Sequence, residues 1–244
     1  MNKKLVPLFL IAAFFSLSFL SCTKEKDTEY KEDRTRAYFP LQFGRYVVYD
    51  VDSTRWDDFL KVKTLYQYQM RYTVADTFRD NQFRLSYRID VHLRKKDNIP
   101  WNTHRVIYVT PTPTHLEYVE DNVRFIKLVF PVSNTITWKG NSMIPAGDQD
   151  YSYFQDWNYT YANVDKPFNN GIAHFETTAT VYQVDDSLNH PETRPNDYAY
   201  RIYGKEVYGY DIGMVYREMT YWTYQPTIGY RSGYSVVMRA VDHN

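Results

Sequence analysis

Residues 66–74 of the chain read Tyr-Gln-Tyr-Gln-Met-Arg-Tyr-Thr-Val, so that every even-numbered position is aromatic or aliphatic and every odd-numbered one is polar. Residues 84–94 repeat the alternation as Arg-Leu-Ser-Tyr-Arg-Ile-Asp-Val-His-Leu-Arg. A period of two places the apolar side chains on one face of a β-strand. Asp80 and Asn81, which lie between the two runs, are typical turn residues. The two runs therefore predict neighbouring antiparallel strands with one face in the core and one in water.

Alternation of this kind recurs along most of the chain. It predicts further strands at residues 45–52, 104–110, 115–120, 123–130, 173–184, 199–208, 214–224 and 234–242. The 25 tyrosines fit this pattern, because tyrosine suits half-buried strand surfaces. About ten strands must also cover their edges. The predicted fold class is therefore all-β, as an antiparallel barrel-like sheet or incomplete barrel of about ten strands, with a two-sheet β-sandwich as the alternative.

The amino terminus carries the features of a targeting segment. Lys3 and Lys4 precede an apolar run over residues 5–20, and Cys22 is the single cysteine among 244 residues. The run is short for a spanning helix, which needs roughly 20 apolar residues, and charged residues follow it at once. We interpret residues 1–21 as a signal peptide. The alternatives are cleavage at another site, which would leave a free thiol, and an uncleaved anchor.

Residues 19–22, Phe-Leu-Ser-Cys, resemble the lipobox of bacterial lipoproteins in a form typical of Bacteroidetes. The usual pattern has leucine where this chain has Phe19. The resemblance implies that residues 1–21 are removed, that the Cys22 thiol is lipidated and that the chain is attached to a membrane through that lipid. Several acyl chains, at about 0.8 kcal/mol per buried methylene, hold a protein on a bilayer far more firmly than one chain does.

Residues 22–36 are highly charged and, after the cysteine, contain one aromatic and no aliphatic side chain, which predicts a flexible tether. Residues 37–244 are then a single β-rich domain. Its first stretch, residues 38–51, resembles uncharacterised outer-membrane lipoproteins of Bacteroidetes, as do residues 125–131 and 206–218. This likeness implies a cell-envelope location with lipid anchoring to the outer membrane, and it leaves open whether the domain faces the periplasm or the cell surface.

Charge and motif content exclude several functions. The chain has 29 basic and 29 acidic residues, and loss of the two lysines in the signal peptide leaves 27 against 29. Such a balance gives no basic surface for nucleic acid. The six histidines lack the spacing of metal ligands, and there is no nucleophile elbow, phosphate loop or dinucleotide fingerprint. We therefore predict no catalytic residue, metal or cofactor, although an active site dispersed over several strands would leave no motif.

An aromatic-rich stretch between Asp148 and Asp165 is the one candidate for a binding site. Its aromatic residues are Tyr151, Tyr153, Phe154, Trp157, Tyr159 and Tyr161. Rings of this kind stack on sugars and peptides, and they also pack into the core of a barrel. The candidate ligand-stacking residues are Tyr153, Trp157, Tyr159 and Tyr161.

These observations lead to one main functional hypothesis and two alternatives. The main hypothesis is a membrane-tethered, non-enzymatic module that binds a glycan, peptide or small molecule, or that has a structural role in the envelope. The first alternative is a carrier whose barrel encloses a cavity for a lipid or small molecule. The second is a glycan-acting hydrolase, which would need two carboxylates converging in a cleft.

Overall fold

The computed structural model describes residues 34–95, 100–145, 147 and 149–244, apart from the side chains of residues 34, 35, 149, 150 and 152. The predicted signal peptide, Cys22 and the tether up to residue 33 lie outside the described residues. Within the described part of the chain, no helix is long and apolar enough to cross a bilayer.

Twelve strands make up most of the described structure. They are β1 (Tyr46–Asp57), β2 (Val62–Arg79), β3 (Leu85–Lys95), β4 (Asn102–Pro111), β5 (His115–Glu120), β6 (Val123–Val129), β7 (Thr137–Lys139), β8 (Asn158–Asn169), β9 (His174–Leu188), β10 (Ala199–Gly209), β11 (Gly213–Gln225) and β12 (Tyr230–His243). The other regular elements of the described residues are two short 3-10 helices, Arg34–Tyr38 and Gln149–Phe154. The first of these includes the last three residues of the predicted tether.

The strands form one antiparallel sheet in the order β6-β5-β4-β3-β2-β1-β12-β11-β10-β9-β8-β7. Apart from β6 and β7, which form the two edges, each strand therefore pairs with its neighbours in sequence, and the first strand pairs with the last. The sheet curls into a nearly closed barrel, which confirms the predicted fold class with twelve strands in place of about ten. The alternative of two packed sheets is wrong, since the described strands belong to a single sheet.

Strands β6 and β7 are the two edges of the sheet, and they follow one another in the sequence. They lie side by side along a seam, where the barrel closes. The backbone N–H of Ile126 donates to the carbonyl of Gly140 at 2.7 Å. In return, the indole N–H of Trp138 donates to the Ile126 carbonyl at 2.8 Å. A Cβ on Gly140 would lie 2.4 Å from the Tyr159 ring, so only glycine fits here. These contacts satisfy edge groups that an open sheet would leave unpaired.

Strand β2 shows how well the alternation predicts the interior. Met70, Tyr72 and Val74 are buried, as the pattern requires, whereas Tyr66 is 51% exposed. Tyr66 is exposed because β2 is 18 residues long and its ends extend beyond the part of the sheet that closes around the core.

Two strands, β7 and β8, are absent from the strands that the sequence predicts. The pairing of β8 with β9 shifts in register between Ala162 and Lys166 and again before Phe168. Asn163 and Asp165, inside β8, both have positive φ angles. Such bulges insert extra residues and break the period of two on which the prediction depends.

One end of the barrel is covered by the segment that precedes β1. Tyr38 is 3% exposed, and Phe39 and Leu41 pack against the core beside it. The N–H of Asp211, in the β10–β11 turn, donates to the carbonyl of Ala37 at 2.8 Å. We call this the covered end. The β5–β6 turn lies at the opposite end, because successive turns of an up-and-down sheet alternate between the two ends.

Candidate functional site

Charged side chains lie inside the barrel, where an apolar core would be expected. Lys127 of β6 is 4% exposed and Glu206 of β10 is 1% exposed. The Lys127 Nζ lies 2.6 Å from Glu206 Oε1, and the Tyr208 hydroxyl donates to Glu206 Oε2 at 2.6 Å. Burial of a charge is costly unless it is paired and hydrogen-bonded, and here both carboxylate oxygens have close donors.

The Lys127–Glu206 pair is part of a larger chain of opposite charges. Arg217 Nε lies 3.6 Å from Glu206, and Arg217 also lies 3.5 Å from Glu120. The next link is shorter, with Arg105 Nη2 at 2.7 Å from Glu120. Arg105 also reaches the exposed Asp121 at 3.0 Å. These six side chains, which we call the ionic cluster, are Arg105, Glu120, Asp121, Lys127, Glu206 and Arg217.

The cluster holds its buried carboxylates in the ionised form. Burial by itself raises the pKa of Glu206, but the charges of Lys127 and Arg217 outweigh it and keep the pKa of Glu206 below its ordinary value. Burial likewise opposes ionisation of Glu120, and the charges of Arg217 and Arg105 lower its pKa. Both carboxylates are therefore anions at neutral pH.

An internal cavity of about 290 Å³ lies beside the ionic cluster. Five cluster members line it, namely Arg105, Glu120, Asp121, Lys127 and Arg217. Asp121 belongs to the β5–β6 turn and its side chain is 69% exposed, so the cavity reaches the surface there. A smaller cavity of about 50 Å³ lies toward the covered end, where Phe39, Lys127 and Glu206 contribute to its lining.

The aromatic stretch and Phe125 of β6 together supply one group of residues that line the larger cavity. This group, which we call the aromatic wall, consists of Phe125, Tyr151, Tyr153, Phe154, Trp157 and Tyr159. The Phe154 ring centroid lies 4.1 Å from that of Tyr153, 5.1 Å from that of Trp157 and 5.7 Å from that of Phe125. Such spacing is that of stabilising ring pairs.

The four predicted stacking residues do not all reach the cavity. Tyr153, Trp157 and Tyr159 line it, whereas Tyr161 is absent from its lining. The Tyr161 hydroxyl instead donates to the carbonyl of Val129 at 2.9 Å, across the seam. Trp157 and Tyr159 are buried at 6% and 1% exposure, so they form an internal surface rather than an open platform.

Gln183 of β9 is a further polar side chain in the cavity lining, and the sequence offered no signal for it. Gln183 is 4% exposed, and its side-chain Nε2 has no hydrogen-bond partner among the described residues. A buried amide donor without a partner is rare and costs free energy. A Cβ on Gly204 of β10 would lie 3.0 Å from Gln183 Oε1, so the glycine makes room for the amide.

Three further hollows of the described residues, of about 230, 340 and 470 Å³, contain no member of the ionic cluster. A groove of about 470 Å³ at the covered end includes His174 and Glu176, but these side chains are 52% and 87% exposed. Among the described residues, no group of three or more histidine, cysteine, aspartate and glutamate side chains is placed to hold a metal ion. The internal cavity is therefore the candidate functional site.

No protein-family model matches the chain, and no curated protein matches it. Among solved structures, a presumed exported protein with a YmcC-like fold from Bacteroides fragilis is similar at 14% identity and a TM-score of 0.35, covering 84% of this chain and 98% of that one. A LolA superfamily protein from Nitrosomonas europaea is similar at 10% identity and a TM-score of 0.20, covering 87% and 90%. With TM-scores below 0.5, neither likeness bears on what the site does.

Proposed function

We propose that this protein is a lipid-anchored module of the cell envelope that binds and carries a small molecule inside its barrel. The main support for this proposal is the cavity of about 290 Å³, which is lined by the aromatic wall and by charged side chains. Ligand pockets typically measure about 300–1,000 Å³ and combine apolar walls with a few placed polar groups. The cavity lies just below that range, which suits a compact ligand better than a whole diacyl lipid.

The chemistry of the site favours binding over glycan hydrolysis. A glycosidase needs one carboxyl group that is protonated and able to act as a general acid. The two buried carboxylates of the cavity region, Glu120 and Glu206, are both paired with cations, and both have lowered pKa values. Neither is suited to donate a proton at neutral pH.

The membrane anchor rests on the amino-terminal sequence. We expect Cys22→Ala to remove the lipid attachment atom and release the domain from the membrane fraction. Fractionation of cells that express the full chain, with the wild-type protein beside the variant, measures this directly. An uncleaved signal peptide would also hold Cys22→Ala on the membrane, so the amino terminus of the variant is determined as well. A Cys22→Ala protein that has lost residues 1–21 and still stays on the membrane would contradict lipid anchoring. Protease treatment of intact cells would then assign the wild-type domain to the periplasm or to the surface.

Ligand binding inside the barrel is tested with two fluorescent probes and a matched pair of variants. The probes are 8-anilinonaphthalene-1-sulfonate (ANS) and its uncharged analogue N-phenyl-1-naphthylamine (NPN), whose emission rises in apolar surroundings. Val236 of β12 lines the cavity, while Val237 lies on the opposite face of the same strand. Tryptophan at Val236 should fill the cavity, whereas tryptophan at Val237 should leave it unchanged.

The expected result is saturable binding of at least one probe to the wild-type protein and to Val237→Trp. Affinity should fall about tenfold or more in Val236→Trp, since a filled cavity cannot accept the ring system. Circular dichroism and thermal unfolding of both variants report whether the fold is intact. If neither probe binds, or if binding is equal in the two folded variants, the cavity is not a ligand site.

A further inference from the structure

We infer that the ligand is a small anion that carries a flat apolar group, with its acidic group against Arg217 and Gln183 and its apolar part against the aromatic wall. This inference rests on the proposed function and specifies the chemical class of the ligand. The acidic group is a carboxylate, sulfonate or phosphate, since these oxyanions share the same recognition chemistry.

The six charges of the ionic cluster are balanced, with three cations and three carboxylates. Lys127 lies 2.6 Å from Glu206, and Arg105 lies 2.7 Å from Glu120 and 3.0 Å from Asp121. These short pairs use all three carboxylates, so Arg217 is the cation with the longest contacts. Burial and the charge of Arg217 lower the pKa of Lys127, against the attraction of Glu206.

Arg217 is the cation best placed to receive the anion. Its contacts with Glu120 and Glu206 measure 3.5 and 3.6 Å, whereas Arg105 and Lys127 approach their carboxylates to 2.7 and 2.6 Å. Arg217 lines the cavity, and its side chain remains 23% exposed. A guanidinium with long contacts and surface toward a cavity can donate further hydrogen bonds to an oxyanion.

Gln183 provides the independent observation that points to a ligand. Gln183 is one of the residues that line the cavity, and its amide nitrogen is buried and has no acceptor among the described residues. Gln183 and Arg217 are on strands β9 and β11, which flank β10, and Gly204 of β10 has no side chain to fill the space beside Gln183. An oxyanion at this place would give the amide the acceptor that it lacks.

The aromatic wall accounts for the apolar part of the ligand. Phe154 and Trp157 line the same cavity as Arg217 and Gln183, and both present ring surface. A flat group between such rings gains the burial and stacking contributions that favour aromatic ligands. An anion without an apolar part, such as inorganic phosphate, would leave this surface unused.

The test compares ANS with NPN, since the two probes share one ring system and differ in the sulfonate. On wild-type protein, ANS should bind about tenfold more tightly than NPN, as expected for charge-assisted hydrogen bonds in a buried site. Arg217→Gln and Gln183→Leu should each weaken ANS binding by about fivefold or more while changing NPN binding less than about twofold. Arg239→Gln is the matched control, since Arg239 is on the outer face and pairs with Asp52.

The binding of ANS and NPN to these proteins either supports or contradicts the inferred class of ligand. Should Arg217→Gln fail to fold, Gln183→Leu still tests it, because Gln183 has no protein partner for its amide nitrogen. Equal affinity of the two probes on wild-type protein, or an ANS preference that survives in folded Arg217→Gln and Gln183→Leu, overturns the inference and leaves the proposed function standing. Absence of binding by both probes overturns the proposed function and the inference together.

Discussion

Replacement of Lys127 by methionine is expected to lower the free energy of unfolding by about 3–5 kcal/mol at neutral pH. Glu206 is 1% exposed, and its Oε1 is 2.6 Å from the Lys127 ammonium, so the variant would leave a buried anion without its closest cation. The remaining partners of Glu206 are the Tyr208 hydroxyl and the more distant Arg217. Urea unfolding of the wild-type and Lys127→Met proteins measures the difference.

Two controls separate this effect from a simple change of packing. The double variant Lys127→Met/Glu206→Gln removes both charges and should recover most of the lost free energy. The difference in the free energy of unfolding between the wild-type and Lys127→Met proteins should also become smaller in acid. The pKa of Glu206 is lowered in the folded protein from an ordinary value of 4.5, so its contribution is complete above that value and is lost as the pH falls through the folded pKa. A loss below about 1 kcal/mol in Lys127→Met at pH 7 would show that the pair does not stabilise the barrel.

Trp157→Ala is expected to cost about 3–5 kcal/mol, the range for removal of a large buried aromatic side chain. Trp157 is 6% exposed, its ring packs on Phe154 at 5.1 Å and its indole N–H donates to the carbonyl of Tyr153 at 2.9 Å. The substitution therefore removes one ring of the aromatic wall and the hydrogen bond that joins Trp157 to the carbonyl of Tyr153. Thermal and urea unfolding give the loss.

Trp101→Ala is the matched control for this prediction. Trp101 is only partly buried, and the Arg94 guanidinium lies 4.3 Å from its ring centroid. Loss of a cation–π contact at such a site should cost about 1 kcal/mol or less. If Trp157→Ala were as mild as Trp101→Ala, the aromatic wall would not be part of the folded core.

The regular strands were predictable because their alternation is local. Residues 66–74 and 84–94 indicate which side chains face inward, and Met70, Tyr72, Ile89 and Val91 are indeed buried. The same reasoning fails at β8, where Asn163 and Asp165 have positive φ angles and shift the register. Closure of the barrel was also predictable in outline, since many sequential antiparallel strands with apolar faces have to cover their edges.

The inner part of the ionic cluster could not be predicted, because its pairs join strands that are distant in the sequence. Lys127 and Glu206 are 79 positions apart, and Glu120 and Arg217 are 97 apart. One local signal was present: Lys127 shares the inward face of β6 with Val123 and Phe125, where an apolar residue is expected. A charge in such a position indicates a buried partner without identifying it.

The cavity is harder still to predict from the sequence. Its volume depends on how twelve strands curve and on small differences in side-chain size, such as the glycine at position 204 beside Gln183. The sequence singled out the aromatic stretch by its composition, and a ligand-stacking role for its residues stays a prediction. Its position inside the barrel follows only from the pairing of β8 with β9, which places Tyr159 and Tyr161 in the core.

A crystal structure of the wild-type protein with ANS bound tests ligand binding inside the barrel most directly. We expect density for the probe inside the barrel, with the sulfonate within hydrogen-bond distance of Arg217 and Gln183 and the rings against Phe154 and Trp157. Density for the probe only on the outer surface, for example at the exposed Phe59, or a cavity that contains water alone at saturating ANS, would contradict it.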